Sequence, residues 1–72
     1  MYDVKREEER AIVRGVRVVM DDLDNAYVMA QRVIQEMRGD ERYDAARSYL
    51  ALASSQLVDA LDSVRAARGA LR

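Results

Sequence analysis

Apolar residues recur along this chain in alternating steps of three and four, the spacing that puts side chains on one face of an α-helix. In the second half of the chain this seam consists of Tyr43, Ala46, Leu50, Ala53, Leu57, Ala60, Val64, Ala67 and Leu71. In heptad notation the large residues occupy position a, and alanine occupies every position d, over four heptads. The pattern predicts one long helix whose alanine seam lets a second helix approach closely.

The first half of the chain carries a matching stripe in the same heptad phase. Its members are Ile12, Val16, Val19, Leu23, Ala26, Ala30, Val33 and Met37. Gly15 lies within this span but off the seam, and we interpret it as a tolerated glycine in a continuous helix. The stripe ends before Gly39, which suits the left-handed residue that closes a helix. Asp40 can then cap the second helix, as Asp3 can cap the first.

These signals predict an all-α fold, an antiparallel two-helix hairpin that forms a single domain over residues 1–72. The first helix is expected at about residues 3–38, the turn at 39–40 and the second helix at about 41–71. Folding the chain at the turn brings together seam residues whose numbers sum to about 80, so that large residues mostly face small ones. The four seam alanines, in chain order, are thereby expected opposite Val33, Ala26, Val19 and Ile12.

A second apolar stripe at heptad position e is predicted to remain beside the seam once the hairpin closes. It consists of Val13, Met20, Tyr27, Ile34 and, on the second helix, Leu61. A two-helix hairpin does not cover a face of this width by itself. We therefore predict that the chain self-associates through these residues into a homodimeric four-helix bundle, because two-fold homodimers are the commonest soluble oligomers. The alternative is that the stripe binds a foreign helix or groove.

Further apolar residues fall outside both stripes. They are Val18, Val28, Met29, Tyr49, Leu52 and Val58. Single exposed apolar residues are normal, but this many leave room for another contact. If the e stripe is not the dimer face, we expect dimerisation to run through Met29, Tyr49 and Leu52.

Composition excludes several classes of function. The chain has no cysteine and no histidine, so a disulfide, a zinc site, a Ser-His-Asp triad and a Cys-His pair are all ruled out. We accordingly expect no enzymatic activity and no cofactor. Charged residues make up 35% of the chain, but 12 basic residues against 13 acidic ones leave no overall field that would attract nucleic acid or a membrane.

Two charge clusters are the remaining candidate binding groups. An acidic girdle near mid-helix consists of Asp21, Asp22, Asp24, Asp59 and Asp62. Rigid helices do not wrap a cation as a calcium loop does, so we predict no metal site there. The hairpin also gathers at one end the arginines Arg6, Arg10, Arg14, Arg17, Arg65, Arg68 and Arg72. Such a set can bind phosphates of RNA or DNA, but three glutamates interleave with it, and a self-neutralising helix end is the favoured interpretation.

Location and source can be inferred only in outline. No run of apolar residues approaches the roughly 20 needed to span a membrane, and acidic residues follow Met1 where a signal segment would be apolar. We expect a cytoplasmic protein. Eleven arginines against one lysine indicate GC-rich coding, typical of a high-GC bacterium or its phage.

The outline of the chain is similar to that of the plasmid RNA-binding hairpin Rop, in architecture only. No motif is shared, so the similarity implies nothing about function. The predicted function is that of a small non-enzymatic protein-interaction module or regulator, with a protein partner of unspecified identity. The alternatives are a nucleic-acid-binding regulator that uses the arginine-rich end, and a purely structural assembly unit.

Overall fold

Two long helices account for most of the chain in a computed structural model, which describes residues 4–71. The first, α1, spans Val4–Met37, and the second, α2, spans Asp44–Ala70. A short 3-10 turn at Glu41–Tyr43 leads into α2. The two helices pack against each other as a hairpin, which confirms the predicted helical class and hairpin. The predicted cap Asp3 lies outside the described residues.

The connection between the helices uses the predicted residues Gly39 and Asp40, but Asp40 caps the 3-10 turn and not α2, which begins at Asp44 without a side-chain cap. Gly39 adopts a φ of 85°, the left-handed conformation that closes a helix and that glycine tolerates without strain. Asp40 follows in an extended conformation, and its carboxylate accepts a hydrogen bond of 3.0 Å from the backbone N–H of Arg42. The Arg42 guanidinium also donates to this carboxylate, with Nη2 2.7 Å from Oδ2, and these bonds hold the pKa of Asp40 below its usual 3.8. The turn is therefore fixed by one glycine and one capping aspartate.

The helix α1 continues through Gly15 without interruption. A Cβ added at Gly15 would meet nothing within 4 Å, so no neighbouring backbone requires a glycine at this position. The continuous helix predicted across Gly15 is confirmed.

The contact between the helices is centred beside the alanine seam and not on it. On α1, half-buried residues that recur in steps of four and three are Val16, Met20, Leu23, Tyr27, Ala30, Ile34 and Met37. On α2, the corresponding covered residues are Leu50, Ser54, Leu57, Leu61 and Val64. By contrast, Ile12 and Val19 are 53% and 47% exposed, and Ala46 and Ala67 are exposed as well. The helices therefore meet through heptad positions a and e, whereas the sequence pattern predicted a and d.

The physical reason for this difference is the apolar area available on each side of position a. At position e the helices offer large side chains such as Met20, Tyr27 and Leu61, whereas at position d helix α2 offers only alanine. Burying more apolar surface is the more stabilising choice, at about 25 cal/mol per Å². Moving the contact from one side of position a to the other takes a rotation of each helix by only roughly 50°, half of the angle between successive residues.

The hairpin is long and thin, and it buries little of itself. Its extents are 64 × 17 × 11 Å, and its radius of gyration is 17.4 Å, whereas about 11 Å is expected for a compact domain of this length. Among the described residues, only Leu61 and Ser54 are buried, at 6% and 4% exposure. Neither α1 nor α2 has a stretch long and apolar enough to cross a membrane.

Candidate interaction surface

The rotation of the helices leaves an uncovered apolar surface along one side of the hairpin, which we call the alanine face. Helix α1 contributes Ile12, Val19, Ala26, Met29 and Val33 to it, and helix α2 contributes Ala46, Tyr49, Ala53, Ala60 and Ala67. These residues occupy heptad positions d and g of both helices. The face extends over about 30 Å, the rise of the 21 residues that separate Ile12 from Val33.

The positions d and g of the two helices lie on the same side because the helices are antiparallel and both use a and e for their contact. Reversing the direction of one helix also reverses the sense in which its residues turn about the axis. Position d of α1 therefore adjoins position d of α2, and the two g positions form the outer edges of the same side. Positions b and f line the opposite side, which carries charged residues such as Arg17, Asp24, Asp62 and Arg65.

Several large side chains of the alanine face are more than half exposed. Tyr49 is 74% exposed, and Met29 and Ile12 are each 53% exposed. Between them, Val33, Ala53 and Ala60 are half-buried. An exposed apolar strip of this length is uncommon on monomeric proteins, which makes the alanine face a candidate interaction surface.

The alanine face is also uneven in height. Its α1 row carries the branched residues Ile12, Val19 and Val33, whereas its α2 row consists of alanines. A ridge, interrupted at Ala26, therefore runs beside a shallow row over the same length. A surface of this shape fits a partner that presents a matching ridge and a matching shallow row.

The e stripe predicted as the dimer interface is largely covered by the chain itself. Met20, Tyr27 and Ile34 are half-buried, and Leu61 is 6% exposed. The exception is Val13, which is 41% exposed near the open end of the hairpin. The stripe is therefore not left over when the hairpin closes, because it supplies the contact between α1 and α2.

Ser54 lies within this contact, at nearly the same level as Tyr27 when residues are counted from the turn. The small serine side chain leaves room for a neighbouring ring. Its Oγ is buried and has no hydrogen-bond partner. Ser54 therefore fits this contact because its side chain is small. Its hydroxyl makes no hydrogen bond that would offset the cost of its desolvation.

Other exposed apolar residues do not form a second continuous face. They include Val18, Val28, Leu52 and Val58, which are 57%, 53%, 56% and 42% exposed. Helical periodicity spreads them over positions b, c and f, where the neighbouring residues are mostly charged or polar. Isolated residues of this kind are normal on a protein surface.

The predicted arginine cluster is partly assembled at the open end of the hairpin. Four of its members line one cleft there, together with Val13 and Leu71, and they are Arg6, Arg10, Arg14 and Arg17. Glu7 and Glu9 line the same cleft. Arg65 instead forms an ion pair with Asp62 at 3.5 Å, and Arg72 lies outside the described residues. The cleft thus has a basic excess with carboxylates interspersed.

The acidic girdle does not form a ligand cluster. Within residues 4–71 no group of three or more acidic side chains is placed to hold a metal ion. Asp62 is engaged by Arg65 as described above, and the remaining carboxylates project from the two helices.

This chain matches no family model, no curated protein and no solved structure. A functional assignment therefore depends on the two surfaces described above, the alanine face and the arginine-lined cleft.

Proposed function

We propose that this chain is a small homodimeric interaction module, in which two hairpins pair through their alanine faces into a four-helix bundle. It acts by binding and not by catalysis. The observation that carries the proposal is the exposed apolar strip, with Tyr49 at 74% exposure. Covering this strip completes a core that one hairpin lacks.

The exposed area of the chain supports a large interface. The accessible surface is 5981 Å², whereas a compact monomer of 8.2 kDa would expose about 4,500 Å². The excess is roughly 1,400 Å² per chain, or nearly 3,000 Å² for two chains, which is comparable with the area of about 2,000–5,000 Å² that obligate homodimers bury. A hairpin in which only two of the described residues are buried needs this additional burial to fold stably.

A second copy is the partner that the surface fits best. The alanine face carries few charges, so it offers little with which to select a charged partner. Its ridge and its shallow row are complementary to each other, which is the requirement for a two-fold interface in which the same patch occurs on both sides. Self-association therefore covers both rows at once.

The test compares Tyr49→Glu with Leu52→Glu. Both residues are apolar and exposed in the single chain, at 74% and 56%, but Tyr49 lies at position g of the alanine face and Leu52 lies at position c, outside the face. Burying a charge in an interface is costly, so Tyr49→Glu is expected to dissociate the dimer in sedimentation equilibrium, whereas Leu52→Glu remains dimeric. Equal association of the two variants would contradict the assignment of the face.

A second candidate function, nucleic-acid binding, is favoured by one observation, the convergence of four arginines on the open-end cleft. The cleft residues Arg10, Arg14 and Arg17 occupy positions b and f, away from the alanine face, so both functions are compatible. Fluorescence anisotropy with RNA and DNA would test it. Arg10→Gln with Arg14→Gln should weaken salt-sensitive binding, and Arg32→Gln near the turn is the control. Absence of salt-dependent binding by the unmodified chain would exclude this candidate.

A further inference from the structure

We infer that the second copy docks with its turn at the same end as the first, so that the two-fold axis runs along the length of the bundle. Helix α1 of each chain then lies on helix α2 of the other. This inference rests on the proposed homodimer and adds its orientation. The orientation follows from the residues of the alanine face that differ between α1 and α2.

Two flat, elongated faces can pair by a two-fold axis in only two ways that keep their long directions aligned. An axis along the bundle places both turns at one end and puts α1 on the partner's α2. An axis across the bundle places the turns at opposite ends and puts α1 on the partner's α1. All neighbouring helices are antiparallel in both cases, so helix direction does not distinguish them, and the side chains decide.

The same-end arrangement places the ridge of one chain on the shallow row of the other. Counted from the turn, Val19 lies 21 residues before Asp40 and Ala60 lies 20 residues after it. The two are therefore level, and at three of the four d layers a large residue of α1 meets a partner alanine, namely Ile12 with the partner's Ala67, Val19 with the partner's Ala60, and Val33 with the partner's Ala46. At the remaining layer Ala26 meets the partner's Ala53. The opposite-end arrangement instead stacks ridge on ridge and alanine on alanine, which gives a wedge-shaped gap.

The outer edges of the face favour the same orientation. Met29 lies 11 residues before Asp40 and Tyr49 lies nine after it, so the same-end arrangement brings Met29 beside the partner's Tyr49. A thioether beside an aromatic ring is a favourable contact. In the same arrangement Asp22 lies beside the partner's Gln56, a neutral residue that can donate to it.

The opposite-end arrangement creates an unfavourable pair at its centre. The d positions of α1 in the alanine face run from Ile12 to Val33, and the midpoint of that row falls at residues 22 and 23. An axis across the bundle therefore passes close to Asp22 and brings it beside the partner's Asp22. Like charges directly opposed at an interface are destabilising.

One electrostatic effect opposes the inferred orientation, because it places the two arginine-rich ends together. These arginines are exposed to solvent, Glu7 and Glu9 lie among them, and the Debye length is about 8 Å at physiological ionic strength. Repulsion between exposed, screened charges is weak compared with complementary burial of an apolar strip. It also has a measurable consequence, since added salt should tighten a same-end dimer.

The first test measures whether Met29 and Tyr49 interact across the dimer. Within one chain these residues lie on opposite outer edges of the alanine face, so they do not touch each other. We expect Met29→Ala and Tyr49→Ala each to weaken dimerisation, and the double variant to weaken it by much less than the product of the two fold-changes. The control pair is Met29→Ala with Leu52→Ala, whose fold-changes should multiply. A multiplicative Met29 and Tyr49 pair would overturn the inferred orientation.

The second test measures the distance between the turns directly. The chain has no cysteine, so Glu41→Cys gives a single spin-label site at the turn. Packed helix axes lie about 10 Å apart, so the same-end dimer should give a label separation below about 25 Å. The opposite-end dimer would separate the labels by about 50 Å, from 1.5 Å of rise per residue.

A label at Ser55→Cys lies near the middle of the bundle's length in either orientation, so its distance is free of a large offset along the bundle, and it serves as the control. A distance for Glu41→Cys that is much longer than that for Ser55→Cys would overturn the orientation and leave the homodimer standing. A monomeric, unlabelled chain in sedimentation equilibrium would instead overturn the proposed homodimer itself.

Discussion

At the scale of single residues, the turn was readable from the sequence, whereas Met29 and Tyr49 at the edges of the alanine face were named, with Leu52, only as an alternative dimer contact. Gly39 and Asp40 act locally, through a left-handed φ and a capping hydrogen bond, so their roles follow from residue type and position. Met29 and Tyr49 belong to neither stripe. Whether they lie on an uncovered face depends on which side of each helix the other helix covers. The available signal was that both occupy position g, next to the alanines at d.

Ser54 provides a prediction at the same scale. Its buried Oγ makes no hydrogen bond, so removing the hydroxyl should stabilise the hairpin. We expect Ser54→Ala to raise the free energy of unfolding by about 1 kcal/mol, the cost of an unpaired buried hydroxyl plus a gain in helix propensity. Ser55→Ala, at the exposed neighbouring residue, gains only the propensity share and is the control. If urea denaturation showed Ser54→Ala to be less stable than the unmodified chain, the hydroxyl would have to be hydrogen-bonded.

At the scale of the helices, the boundaries were predictable and the rotation about each axis was not. The 3.6-residue period fixes where a helix runs, and α1 and α2 begin and end within a few residues of the predicted positions. Contacts centred on a and d or on a and e differ by only roughly 50° of rotation. Position e of α2 includes Arg47 and Arg68 as well as Ser54 and Leu61, so its pattern is less regular than the alanines at d. The prediction followed the regular alanines at position d. The contact instead follows the larger apolar area at position e of α1.

Overpacking at an alanine tests the new position of the uncovered face. Ala53 is half-buried at the middle of the alanine face, whereas Ser55 is exposed at position f on the other side. A leucine introduced into a close helix contact typically costs about 1–3 kcal/mol, and a surface substitution changes stability by about 0.5 kcal/mol or less. Ala53→Leu should therefore lower the urea midpoint clearly more than Ser55→Leu at equal protein concentration. Identical midpoints would show that no helix packs against Ala53.

At the scale of the whole molecule, the thinness of the hairpin and its small buried core are the basis for the proposed homodimer. The sequence predicted an incomplete core correctly in principle, since a chain of 72 residues without cysteine has no covalent means of stabilisation. Which surface remains open depended on the helix rotation and required the structure. The proposed dimer places the large residues of α1 on the alanines of α2, the pairing that the sequence predicted within one chain.

The measurement that tests this account most directly is the molar mass of the unmodified chain by sedimentation equilibrium, combined with helicity by circular dichroism across a concentration series. The account predicts a helical species of twice the 8.2 kDa chain mass, and a thermal midpoint that rises with protein concentration, because association stabilises the folded state by mass action. A fully helical species of 8.2 kDa, with a midpoint independent of concentration, would contradict it.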